Sequence, residues 1–197
     1  MTDLYSKLEN LRKNNINTKP RVILDLDETL ICTLSEEEKN KLSDISKARL
    51  NNILKVYKMD DYYTVHERPN VQKFLDYLFK NFKVSVWTAA SLSYAISIVQ
   101  KTFLENHPER KLEFLFHWDH CKDCEKKLGY YKQISHLNDT YNLKQFDNNS
   151  IIIDDRDDNS EQKRVGLGHH IHAFNLFDTN GNFNEFALED NEFSHYN

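Results

Sequence analysis

Apolar positions in this chain recur at two spacings. Leu4, Leu8 and Leu11 return every three or four residues, which predicts an amphipathic helix over residues 3–13. Thr18-Lys19-Pro20 ends that pattern, because proline cannot continue a helix and biases its predecessor toward extended backbone. Residues 21–26 are an apolar run of strand length, and similar runs follow at 62–65, 82–87, 113–116, 150–153 and 171–174. Helical spacing returns between them. Val71, Phe74, Leu75, Leu78 and Phe79 follow Pro69, and a further helix is predicted over 92–104. The aromatic residues at 74–82 read as core. Ser35-Glu36-Glu37-Glu38 has the form of a capping box. Behind it Leu42, Ile45, Leu50, Ile53 and Leu54 predict a mostly helical stretch over 36–56.

Continuous apolar strands alternating with helices predict an α/β fold. The expected form is a three-layer, Rossmann-like arrangement with a central parallel sheet, helices on both faces and a small insertion after the first strand. At 197 residues the chain suits one domain with a substantial core. Residues 1–19 are predicted as a helical extension to a domain over 20–197.

Composition narrows the class. With 39% hydrophobic and 29% charged residues, the chain is expected to fold rather than stay disordered. A net charge of −5 argues against a nucleic-acid-coating protein, and no direct nucleic-acid partner is expected. No apolar run approaches the ~20 residues of a membrane span. The polar, mixed-charge N-terminus does not read as a secretory signal. Three cysteines without such a signal predict a reducing compartment, the cytoplasm or the nucleus.

The candidate chemistry lies where strands end. Asp25 and Asp27 follow the first strand, Thr88 follows the strand at 82–87, and Asp154 and Asp155 follow the strand at 150–153. In open α/β sheets ligands bind outside the carboxyl ends of the strands. Four carboxylates and a hydroxyl are therefore predicted to converge on one sheet edge. Carboxylates that close require a cation to stay ionised. An oxygen-only donor set points to a hard ion, and Mg²⁺ is the expected one.

Two other clusters read as incidental. His117, His120, Cys121 and Cys124 crowd into eight residues, too close to close a zinc loop, and are expected to form a solvated turn. His170 and His172 are expected on one face of a strand at the sheet edge.

The ordered motifs DLDETLI, ERPNVQKFLDYL, VSVWTAASLSYA, YYKQISHL and IIIDDRDDN resemble haloacid-dehalogenase-type phosphotransferases. More narrowly they resemble the small phosphatases that act on the C-terminal domain of RNA polymerase II. The likeness runs from about residue 20 to about residue 177. It implies a haloacid-dehalogenase-type phosphatase domain in which Asp25 is the nucleophile and Asp27 the general acid and base. Thr29 would fix the loop near Asp27 and, with Thr88 and Lys132, bind the phosphoryl group. Lys132 would neutralise charge on the phosphate and on Asp25. Asp25, Asp155 and the backbone carbonyl of Asp27 would hold Mg²⁺, with Asp154 orienting Lys132 or a metal-bound water.

The resemblance further implies a phosphoprotein or phosphopeptide substrate carrying phosphoserine or phosphothreonine. A small-molecule phosphatase acting on a nucleotide or sugar phosphate is the alternative, and an inactive binding module a third reading. Relatives of the polymerase-phosphatase type often carry an arginine after the third strand, where this chain has His117 and Trp118. Many also carry strands where residues 36–56 read as helical.

Overall fold

The computed structural model describes residues 3–15, 18–129, 131–143, 146, 149–156 and 167–196. Tyr130 and the Asp157-Asp158-Asn159 end of the last motif lie outside the described residues. The order of elements is α1 (Leu4–Lys13), β1 (Arg21–Leu24), β2 (Ile31–Ser35), α2 (Glu36–Lys41), α3 (Asp44–Ile53), β3 (Val56–Lys58) and β4 (Tyr63–Glu67). It continues with α4 (Val71–Asn81), β5 (Lys83–Trp87), α5 (Leu92–Ile98), a π-helical extension Val99–Leu104, β6 (Leu112–Phe116) and α6 (Trp118–Leu128). The last elements are α7 (Ile134–Tyr141), β7 (Ser150–Asp154), β8 (Gly168–His170) and a 3-10 turn Glu185–Glu189.

The predicted central sheet is present, with strand order β6-β5-β1-β7-β8 and every pair parallel. Alternation along its strands divides the core into two layers. Val22, Leu24, Val84, Val86, Ile151 and Ile153 face one side, packed on Leu4, Leu8, Phe74, Leu75, Leu78 and Ile98 from α1, α4 and α5. Ile23, Trp87 and Ile152 face the other, packed on Cys121, Cys124, Ile134 and Leu137 from α6 and α7. Strands buried on both faces are largely apolar, as in Val22-Ile23-Leu24 and Ile151-Ile152-Ile153, although β5 carries a buried Ser85.

The N-terminal helix docks on the domain. Leu4 and Leu8 are buried, Lys7 Nζ donates to the Gly168 carbonyl at 2.6 Å, and Tyr77 donates to Glu9 at 2.7 Å. The aromatic stripe of α4 is core as expected, with Phe74 stacked on Phe193 at 4.1 Å.

Residues 36–56 are mostly helical, as expected, in two helices rather than one. The capping box at Ser35 and Glu38 starts α2, but a second cap, Ser43 accepting from Ser46 N, starts a separate α3. The insertion is bounded by β2 and β3, which pair antiparallel with β4 in the order β2-β4-β3. It buries Cys32, Leu34, Leu42, Leu50 and Leu54 against Phe174, Leu176, Ala187 and Leu188.

The last strand is Gly168–His170, not 171–174. Ile171 N still bonds to the Asp154 carbonyl at 3.0 Å, and the chain then leaves the sheet so that Phe174 N meets the Glu28 carbonyl. Ile171 and Phe174 are buried anchors, whereas His172 is exposed and shares no strand with His170.

The segment holding His117, His120, Cys121 and Cys124 is not a solvated turn. It opens α6, with both cysteines fully buried and free.

Candidate active site

The site is built from the loop after β1. Asp25 N donates to the Ile153 carbonyl at 3.0 Å, extending the β1–β7 ladder one residue and fixing Asp25 at the sheet edge. The chain then turns sharply. Leu30 N bonds to the Leu26 carbonyl and Glu28 N to the Ile31 carbonyl, both at 2.8 Å, with Glu28 in the left-handed region at φ 59°. That turn feeds β2 and brings Asp25, Asp27 and Thr29 to one small volume.

Each predicted site residue can be placed. Lys132, just before α7, is 1% exposed; its Nζ lies 2.6 Å from Asp25 Oδ1 and 2.7 Å from Asp154 Oδ2. Thr29 Oγ1 donates to Asp155 Oδ1 at 2.9 Å, accepts from Asp155 N at 3.0 Å and lies 3.4 Å from Asp25 Oδ2. Thr29 therefore joins the β1 and β7 acids rather than bonding to Asp27. Thr88 is buried at the end of β5, and its Oγ1 accepts from Ala90 N at 3.0 Å, leaving the hydroxyl proton for another acceptor. Asp27 stands apart from the ion pairs, with its Oδ1 held by the hydroxyl of Tyr94. Tyr94 in turn bonds to Thr33 Oγ1 at 2.7 Å.

The charges are perturbed in ways the packing explains. Burial raises the Asp25 carboxyl above the ordinary range; Lys132 pulls it down and Asp154 pushes it up. Burial opposes the Lys132 ammonium, but the Asp25 and Asp154 carboxylates outweigh it and hold its pKa above that of free lysine. Burial also raises Asp27, partly offset by the Tyr94 hydrogen bond, and Asp155, partly offset by Thr29. Both carboxyls are thus raised above the ordinary range, and contact is what separates them: Asp25 lies against the Lys132 ammonium, whereas among the described residues Asp27 is held by the Tyr94 hydroxyl. Two carboxylates in different environments are what paired nucleophile and acid chemistry requires.

The donor set fits a hard cation. Asp25, Asp154 and Asp155 each offer a carboxylate oxygen within 4.8 Å of the others, and all three are buried. Asp154 spends its oxygens on Lys132 and, at 2.9 Å, on Arg156 N. That leaves Asp25 and Asp155 as the better-placed side-chain ligands.

These groups border a cleft of about 510 Å³ whose walls include Asp27, Thr88, Trp118, Lys132, Asp155 and Arg156. Residues 31–58, which hold the two helices and two of the strands of the insertion, are absent from its lining.

Two residues escape a reading of the sequence. Tyr94 lies within VSVWTAASLSYA, six positions after Thr88, but nothing in its spacing marks it as facing Asp27. Arg68, in the RPN element, is buried; its Nη1 donates to the Thr29 carbonyl at 2.9 Å. Its Nε and Nη2 clamp Asp190 at 3.0 and 2.8 Å. A buried arginine forked onto a carboxylate is a rigid support, here for the loop that carries the acids.

Comparison with known proteins agrees with this geometry. The NLI interacting factor-like phosphatase family matches residues 20–189. A protein of Invertebrate iridescent virus 3, named as the CTD phosphatase-like protein 355R, is 44% identical over 126 residues, covering 60% of this chain and 63% of the relative. Its namesake in Invertebrate iridescent virus 6 is 38% identical over 146 residues, covering 72% and 79%.

Two solved structures of the RNA polymerase II CTD phosphatase Fcp1 superpose with a TM-score of 0.59 each. One is a fission yeast variant bound to beryllium fluoride. Their identities are 15% and 17%, over 88% and 95% of this chain, so the likeness is one of fold. This chain spans about half their length, 47% and 52%. By fold, family match and sequence identity together, the chain belongs to the NLI interacting factor-like phosphatase family.

Proposed function

We propose that the protein is a Mg²⁺-dependent phosphatase that hydrolyses phosphoserine or phosphothreonine in proteins through a phosphoryl group carried on Asp25. The observation that carries this reading is the buried ion pairing of Lys132 with Asp25 and Asp154, set beside an Asp27 that among the described residues is held by the Tyr94 hydroxyl instead.

In the first half-reaction an Asp25 oxygen attacks phosphorus as the ester P–O bond breaks. The leaving alkoxide takes the proton of Asp27. Lys132 and the Thr88 hydroxyl meet the phosphoryl oxygens, where charge accumulates. In the second half, Asp27, now ionised, removes a proton from water as that water attacks phosphorus. Inorganic phosphate leaves, Asp25 is restored as a carboxylate and Asp27 regains its proton. Asp25, Asp155 and the Asp27 carbonyl would hold Mg²⁺, which would supply neutralisation of phosphoryl charge. Asp154 keeps Lys132 aimed at Asp25.

The open cleft supports a macromolecular substrate. Among the described residues, 31–58 pack beside the core and contribute nothing to its lining, which supports access by a loop of another protein. The names of the viral relatives agree in kind.

The test compares kcat/KM on a panel of phosphoserine and phosphothreonine peptides with that on nucleotide and sugar phosphates, with and without Mg²⁺. The expected result is Mg²⁺-dependent turnover favouring peptides. A preference of several orders of magnitude for a metabolite would refute the substrate class, and absence of Mg²⁺-dependent turnover on every ester would refute the phosphatase.

A further inference from the structure

Trp118 and Tyr131 come from different elements and meet at the cleft. Trp118 opens α6, and its backbone N–H donates to the Ala90 carbonyl at 2.9 Å, tying it to the loop after Thr88. Tyr131 directly precedes Lys132. The two rings stack with centroids 6.1 Å apart and planes 26° from parallel. Trp118 remains 38% exposed, which leaves about a third of its surface open to a ligand. Lys122 Nζ lies 5.8 Å from the Trp118 ring centroid. None of the chemistry assigned to Asp25, Asp27, Thr88 or Lys132 uses either ring.

A cleft of about 510 Å³ is roughly 10 Å across, or two to three residues of extended chain at ~3.3–3.6 Å each. A phosphorylated residue seated on Asp25 therefore carries its immediate chain neighbours to the rim. We propose that Trp118 and Tyr131 form a specificity wall for an apolar side chain one or two residues from the phosphorylated serine or threonine. The proposal rests on the phosphatase reading of Asp25.

The geometry favours an aliphatic group over a flat base. A base sandwiched between two rings needs them about 7 Å apart, twice an aromatic contact distance. Trp118 and Tyr131 are already in contact with each other, and Lys122 lies near the tryptophan face. What remains is an aromatic edge and a partial face, suited to packing C–H groups. Tryptophan and tyrosine are also the residues that most often dominate recognition surfaces. Covering the exposed third of Trp118 corresponds to about tenfold in kcat/KM.

The experiment measures, within each protein, the ratio of kcat/KM for matched phosphoserine peptides carrying leucine or serine at the flanking positions. The wild type is expected to favour leucine about tenfold. In Trp118→Ala and Tyr131→Ala the ratio collapses toward one, and in Trp118→Phe most of it is kept. A merely structural role would lower both rates and leave the ratio standing, and that result would overturn the proposal. So would a wild-type ratio of one with normal turnover, which leaves the phosphatase reading intact. A Trp118-dependent preference for nucleoside monophosphates over either peptide would replace the wall with a base platform. A wild type inert on every ester fails the phosphatase reading itself and takes this inference with it.

Discussion

Replacing Tyr94 by phenylalanine removes one oxygen and leaves the ring in place. That oxygen holds Asp27 Oδ1 and bridges to Thr33. With Oδ1 accepting from Tyr94, the proton that Asp27 is proposed to donate would sit on Oδ2. A hydrogen bond to a charged group contributes about 1.5–3 kcal/mol, so its loss costs roughly 10- to 100-fold where proton donation limits the rate. Proton donation limits the rate for an alkoxide, and hardly at all for a nitrophenolate that departs unprotonated. Tyr94→Phe should therefore lower kcat/KM on a phosphoserine peptide by roughly 10- to 100-fold and on 4-nitrophenyl phosphate by much less. The hydrogen bond also lowers the Asp27 pKa. Its removal should raise that pKa further and move the alkaline limb of the pH profile to higher pH. Equal loss on both esters with an unmoved profile would refute the role assigned to the Tyr94–Asp27 pair.

Other consequences follow from the same contacts. Lys132→Met removes the ammonium that lies between the buried carboxylates of Asp25 and Asp154 and should cost about 3–5 kcal/mol of stability, read by urea unfolding. Part of that should return with Mg²⁺, because a cation that binds only the folded state stabilises it. Arg68→Lys breaks the fork onto Asp190 and the bond to the Thr29 carbonyl, so kcat should fall together with melting temperature, although Arg68 is not among the residues lining the cleft.

Burial pushes the His66 imidazole down to about 4 from 6.5. Above pH 6.5 the ring is neutral in both states. Between 6.5 and 4 the unfolded chain takes up a proton that the folded one refuses. Stability should therefore decline as pH falls, by about 3 kcal/mol at the lower limit. His66→Gln should flatten that part of the wild-type curve, and an unchanged slope would count against the buried neutral ring.

Much of the fold was legible because burial on both faces of a parallel sheet writes a largely apolar run. Residues 21–24, 83–87 and 150–153 all stood out, and the acids that follow them marked the site. The misses have physical causes. Ile31-Cys32-Thr33-Leu34-Ser35 is a strand, but the acids before it and the glutamates after it drew the eye to the loop and the helix cap. Ile171 and Phe174 are apolar because they are buried, and burial does not reveal pairing. His117, His120, Cys121 and Cys124 sit at intervals of three and four, the signature of one helix face. Their crowding into eight residues predicts a turn only if that helical spacing is passed over. Tyr94 and Arg68 reach Asp27 and Thr29 only through tertiary packing, and no local spacing encodes that.

The central claim is that Asp25 carries the phosphoryl group. Acid-quenching the enzyme during turnover of a phosphopeptide with Mg²⁺, then mapping the adduct by mass spectrometry, tests it directly. One phosphoryl group is expected on the peptide containing Asp25, accumulating further in Asp27→Asn when an activated aryl phosphate is supplied, and absent in Asp25→Asn. A phosphoryl group on another residue, or full turnover by Asp25→Asn, would contradict it.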